Sequence, residues 1–184
     1  MGEKRQARQG ADVLLQEEPL RFQTRKQVGL LGGNFNPVHL AHLVMADQVQ
    51  NQLGLDKVYL MPTYLPPHVD EKKTISSEHR LAMLELAVAD NPCLDIEPIE
   101  LIRKGKSYTY DTMKALKEAN PDTDYYFIIG GDMVEYLPKW HRIDDLLHLV
   151  QFVGIRRPNY PTESTYPIIW VDVPQMAISS TLIR

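Results

Sequence analysis

GGNFNPVHLAH, residues 32–42, follows the apolar run Val28-Gly29-Leu30-Leu31 and leads into a helical pattern. The stretch therefore sits on a strand-to-helix corner. Gly32 and Gly33 let a bulky anion approach the backbone without Cβ interference. Asn36 precedes proline and is biased out of the right-handed helical region, which suits an N-cap, and Pro37 suits the first helical position. His39 and His42 then fall three apart in the first turn, facing the same way. Free N–H groups and the positive end of the helix dipole complete a pocket for phosphates. The plainer alternative is a tight Gly-Gly turn followed by two surface histidines.

A second cluster closes the sequence at Ile178-Ser179-Ser180-Thr181-Leu182-Ile183-Arg184. Ser179 suits an N-cap. Ser180 and Arg184 fall four apart on one face, offering a hydroxyl and a guanidinium to the same anion. Taken alone, this is only a capping signal.

Composition sets the limits. The chain has 184 residues, 43% of them hydrophobic, which is enough for one domain with its own core. Net charge is −4 and the isoelectric point about 5.9, so no broad cationic surface for nucleic acid is expected. Cys93 is the one cysteine, which excludes an internal disulfide. No apolar stretch approaches the roughly 20 residues of a membrane span, and no signal-peptide core opens the sequence. Gln6 stands where a myristoylation pattern wants Ser or Thr. A cytoplasmic protein without a membrane partner is the default, and a homo-oligomer is left open.

Residues 1–25 are charged and poorly periodic, and are expected to form an extension outside the core. From there, apolar runs and helical spacing alternate. Strands are predicted at Gln27–Leu31, Lys57–Met61, Leu94–Ile99, Asp124–Ile129, Gln151–Ile155 and Pro167–Val171. Helices are predicted at Leu40–Leu53, Ser77–Ala89 and Tyr110–Ala119, with short ones near Met133–Leu137 and Ile143–Leu147. The stretch from Ile99 to Lys106 reads as hairpin-like or irregular. The fold class is α/β, a Rossmann-like doubly wound parallel sheet with helices on both faces. Ligands bind beyond the carboxyl ends of such strands. The corners at Gly32-Gly33, Met61-Pro62-Thr63 and Gly130-Gly131-Asp132 should therefore share one cleft. A proline-stiffened loop at Tyr64–His68 would place His68 over it, unless His68 is an ordinary exposed loop residue.

The two clusters together resemble the signatures of the nucleotidyltransferase superfamily. The first is similar to GGxFxPxHxGH, with Ala41 in place of the usual glycine between the histidines, and the second is similar to ISSTxIR. The segments MPTYLPPH, SEHRLAMLEL, KSYTYDT, IIGGDM, LPKWHRIDDLL and VGIRRP narrow the resemblance to bacterial nicotinate-mononucleotide adenylyltransferases. With the two signatures they span nearly everything from Val28 to Arg184. Val69 departs from the PPHK pattern common in that family. Lys72 and Lys73 are the available substitutes.

The resemblance implies that AMP passes from ATP to nicotinate mononucleotide, with pyrophosphate leaving. His39, His42 and Arg184 would be catalytic. ATP would meet Gly32, Gly33, Asn34, Phe35, Gly130, Asp132, Arg156, Ile178, Ser179 and Ser180, with Asp132 on a ribose hydroxyl. Arg156 and Arg157 both follow a strand and could flank the adenosine. A flat ring carrying a carboxylate needs an aromatic wall, for which Trp140 with Tyr136 is the candidate, and donors such as those around Thr109 and Tyr110. The alternative for both aromatics is core packing. Magnesium is expected on the triphosphate, held by phosphate oxygens rather than by a protein metal site. No spacing calls for a covalent intermediate.

Two further readings stay open. One is transfer to phosphopantetheine, against which Trp140 and the YTYDT block speak. The other is a nucleotide sensor without catalysis, suggested because family members continue beyond the second signature. Residues 26–184 are read as the nucleotidyltransferase domain without its C-terminal tail.

Overall fold

The computed structural model describes residues 25–65, 74–157, 160 and 162–184. The predicted extension, save Arg25, and His68 with Lys72 and Lys73 lie outside these residues. Six strands form one sheet: β1 (Lys26–Gly33), β2 (Lys57–Pro62), β3 (Leu94–Ile96), β4 (Thr123–Gly130), β5 (Val150–Ile155) and β6 (Ile168–Val171). Their order is β3-β2-β1-β4-β5-β6, and every pairing is parallel. This is the doubly wound order whose direction of winding reverses between β1 and β4.

Period-2 alternation on buried strands makes both faces apolar. On β1 and β4, Val28, Leu30, Tyr125, Phe127 and Ile129 enter one cluster, while Leu31 and Ile128 enter the other. The first cluster is covered by α4 (Thr109–Ala119), α5 (Gly131–Val134), a 3-10 turn (Leu137–Lys139) and α6 (Ile143–Leu146). The second is covered by α1 (Leu40–Leu53) and α2 (Ser77–Val88) through Ala46, Val49 and Leu84. Helix α1 stops at Gly54, whose left-handed conformation (φ 64°) lets its N–H bond the Gln50 carbonyl. No helix among the described residues is long and apolar enough to cross a membrane.

Two local expectations are corrected. The third strand ends at Ile96 rather than Ile99, and the following stretch is not irregular but contains α3 (Ile99–Arg103). Pro98 cannot donate to a ladder, and the Glu97 carboxylate instead accepts the Ile99 N–H at 3.0 Å, which starts a turn of helix. Five residues are too few to show a helical period. At the first signature, α1 starts at Leu40 with His39 as N-cap, not at Pro37 with Asn36 as N-cap. Phe35 takes φ 45° and drops into the core, so residues 36–37 form a separate turn before the helix begins.

Gly154 shows how tightly the sheet is covered. A Cβ there would meet Trp170 Cζ3 at 2.7 Å and Ile168 Cγ2 at 2.8 Å. Gly154→Ala should therefore cost about 1–3 kcal/mol by overpacking, read as a lower urea midpoint. An unchanged midpoint would show that β6 yields freely.

Candidate functional site

Parallel register puts the carboxyl ends of β1, β2, β4 and β5 side by side, with Gly33 opposite Pro62 and Gly130 opposite Ile155. At this edge lies a cavity of about 410 Å³. His39, Ala41 and His42 line it from α1, Arg157 from beyond β5, and Ile178, Ser179 and Ser180 from the end of the chain. Residues about 140 apart in sequence thus face one space.

The two imidazoles stack at 3.7 Å between ring centres with 28° between planes. The Phe35 ring stands edge-on to His42 at 5.0 Å and fixes it from below. The main-chain N–H of His39 donates to His42 Nδ1 at 3.2 Å. An Nδ1 that accepts leaves the proton of the neutral ring on Nε2, which is then a donor. Burial, followed by repulsion from His39 and Arg157, lowers the His42 pKa to about 4. Burial also lowers that of His39, whose Nδ1 is enclosed without a hydrogen-bond partner. Both rings are therefore neutral donors at pH 7, awaiting an acceptor.

The terminal segment is latched onto the first signature. Ser180 Oγ donates to the Pro37 carbonyl at 2.8 Å, and the Arg184 guanidinium bonds the Asn36 carbonyl. Ser179 caps α7 (Ser180–Ile183), its hydroxyl accepting the Leu182 N–H at 3.1 Å. Here the Ser180 hydroxyl and the Arg184 guanidinium hold backbone, rather than standing free for a common anion.

Several expected roles change on inspection. The space left by the missing Cβ of Gly32 and Gly33 is taken by Phe127 (3.2 Å) and Phe35 (3.0 Å), so these glycines serve packing as well as any ligand. Phe35 is a core residue, 2% exposed. Of the two arginines after β5, Arg157 lines the cavity and pairs with Asp132 at 3.3 Å. Arg156 turns instead to Asp172 at 3.0 Å and does not line the cavity. Asp132 has no capping bond to α5, and its Oδ1 is enclosed without a hydrogen bond. A Cβ on Gly130 would strike that oxygen at 2.4 Å.

The predicted acceptor side lies toward the start of α4. Trp140 is half-buried, edge-on to Phe127 and Phe152 at 5.8 Å each, while Tyr136 is exposed with Lys139 Nζ 5.2 Å from its ring. Tyr110 is in the core, with the Arg142 guanidinium 4.0 Å above its ring. Thr109 is half-buried at the first position of α4. Sequence reasoning missed Tyr108, whose ring lies 4.6 Å from that of His141 with 41° between planes. It also missed Arg80, which is 2% exposed and donates to the Asn34 and Thr63 carbonyls at 2.8 and 2.9 Å. An arginine four before buried Leu84, on the inward face of α2, was the available signal.

With that geometry in place, comparison is decisive. The cytidylyltransferase-like family profile matches residues 30–184. The chain belongs to that family. A Streptococcus pneumoniae serotype 4 protein named "Probable nicotinate-nucleotide adenylyltransferase" is 66% identical over 168 residues, 91% of this chain and 80% of the relative. A Lactococcus lactis relative of the same name is 65% identical over 160 residues, 87% of this chain and 82% of its own. Among solved structures, the Plasmodium falciparum nicotinic acid mononucleotide adenylyltransferase complexed with NaAD superposes with a TM-score of 0.70 at 19% identity. That match covers 86% of this chain and 82% of the other, and it establishes the shared fold.

The depressed His42 pKa has a measurable consequence. Unfolded, His42 titrates at its ordinary 6.5, whereas folded it does so at about 4, so the unfolded chain binds more protons in between. Stability should therefore rise with pH from about 4 to about 6.5. His42→Asn should flatten that slope in urea titrations, and an unchanged slope would place the effect elsewhere.

Proposed function

We propose that this chain transfers the AMP moiety of ATP to nicotinate mononucleotide, giving nicotinate adenine dinucleotide and pyrophosphate. The single observation that carries this reading is the stacked His39–His42 pair sharing a cavity with residues 178–180 at the sheet's switch point. The relatives' names supply the acceptor.

A 5′-phosphate oxygen of the mononucleotide attacks the α-phosphorus of ATP in line. The bond from that phosphorus to the bridging oxygen breaks, and pyrophosphate departs with the electron pair. A phosphate is already a nucleophile, so no general base is needed. Catalysis then rests on alignment and on donors aimed at developing charge. His42 Nε2–H and His39 supply such donors, and Arg157 adds a cation on the same wall. The main-chain corners at Gly32, Gly33, Asn34 and Gly130, with Ile178 to Ser180, would enclose the nucleotide, Asp132 accepting from a ribose hydroxyl. Ser180 and Arg184 act by holding the Asn36-Pro37 turn in place. Thr109 and the aromatic turn carrying Trp140 would receive the nicotinate ring and its carboxylate. Among the described residues no three His, Cys, Asp or Glu side chains converge on a metal site. Magnesium, when it accompanies ATP, would be held through phosphate oxygens.

His42→Ala should lower kcat on the order of 10²–10³-fold with the fold retained, as for loss of one preorganised donor. The assay is pyrophosphate release with ATP and nicotinate mononucleotide, with phosphopantetheine as the control acceptor. Equal turnover of the control, or none of the mononucleotide, would contradict the assignment.

A further inference from the structure

The mechanism leaves one buried acid unused. Glu100, 3% exposed, sits in α3 and reaches into the start of α4. Its Oε1 accepts the Thr112 hydroxyl at 2.9 Å, and the Ser107 hydroxyl faces its carboxylate closely enough to favour the charged form. Arg103 Nη2 donates to Thr112 Oγ1 at 2.7 Å, and that hydroxyl's own proton is shared between Glu100 at 2.9 Å and the Tyr108 carbonyl at 3.2 Å. The link between α3 and α4 makes this reach possible by turning at Lys104 (φ 60°) and Gly105 (φ 78°).

Ser107 extends the network to the sheet. Its Oγ accepts the Tyr64 N–H at 3.1 Å, and its own N–H donates to the Leu65 carbonyl at 2.9 Å. Tyr64 and Leu65 follow the carboxyl end of β2, at the ligand-binding edge. On the other side, the Tyr108 ring leans against His141, next in sequence to Trp140. The network therefore joins three separate pieces: the loop after β2, the first turn of α4 with Thr109, and the aromatic turn. A carboxylate is the one side chain that accepts from both hydroxyls without supplying a competing donor.

We propose that Glu100 is a positioning residue for the acceptor, fixing the first turn of α4 through Ser107 and Thr112 so that its donors meet the carboxylate of the mononucleotide. The proposal rests on the reading of that turn as the acceptor site. Glu100 touches neither substrate. Because burial raises its pKa, the cost of keeping it charged argues against a purely stabilising role.

Glu100→Gln keeps size and removes one acceptor. In steady-state assays of the whole chain, its KM for nicotinate mononucleotide should rise about tenfold, the equivalent of one lost hydrogen bond. Its KM for ATP and its thermal midpoint should stay at parental values. Thr112→Val should reproduce the rise and Thr112→Ser should restore the parental KM, which keeps the test alive if Glu100→Gln does not fold. An unchanged mononucleotide KM, a parallel rise in both KM values, or a lowered midpoint with both KM values intact would each overturn the role. Failure of the parental chain to use the mononucleotide would instead overturn the functional reading beneath it.

Discussion

The latch between Ser180, Arg184 and the carbonyls of Asn36 and Pro37 is the contact on which the site depends. It closes the largest loop in the fold and does so at the carboxyl edge of the sheet. Without it, residues 178–180 have no reason to face His39 and His42, and the cavity loses a wall. The latch uses main-chain acceptors that the turn at residues 36–37 exposes. That turn in turn exists because Phe35 is driven into the core, one ring beneath His42.

The catalytic edge is thus assembled by packing more than by polar design. Phe35 supports His42, Phe127 occupies the space beside Gly32, and Trp140 rests on Phe127. The rings fall in two separate sets on opposite faces of the sheet: Phe35 beneath His42 on the α1 side, and Phe127 with Trp140 and Phe152 on the α4 side. The polar groups hung on this frame are few, and among the described residues His39 Nδ1, Arg80 Nε and Asp132 Oδ1 are enclosed without a hydrogen bond, the last standing 3.3 Å from Arg157 Nη1. Of these residues, His39 lines the cavity, and Asp132 is paired with Arg157, which also lines it.

Much of this was legible in the sequence. Apolar runs bounded by glycine located the long strands, and helical spacing gave the body of α1 and its end at Leu53, although the Asn36-Pro37 capping signal pointed to an earlier entry. The two signatures named the histidines and the terminal serines that line the cavity. What escaped was set by tertiary context. The start of α1 shifted because burial of Phe35 outweighed the local preference of Asn-Pro for a helix entry. Arg156 and Arg157 are indistinguishable by type, and only the way the chain leaves β5 decides which one faces inward. Arg80 looked like an ordinary helix charge, since periodicity tells which face is buried but not that the face holds an ion, and Glu100 lay in a stretch that showed no period at all. Helix α3 was too short for any pattern.

What the latch and the stacked imidazoles imply together is one polyphosphate gripped by both His42 and the segment 178–184. A crystal structure with a non-hydrolysable ATP analogue tests it most directly. The triphosphate should accept a hydrogen bond from His42 Nε2 while its far end contacts main chain or side chain within residues 178–184. Phosphates bound away from the stacked imidazoles, or touching them with the terminal segment displaced from Asn36 and Pro37, would contradict it.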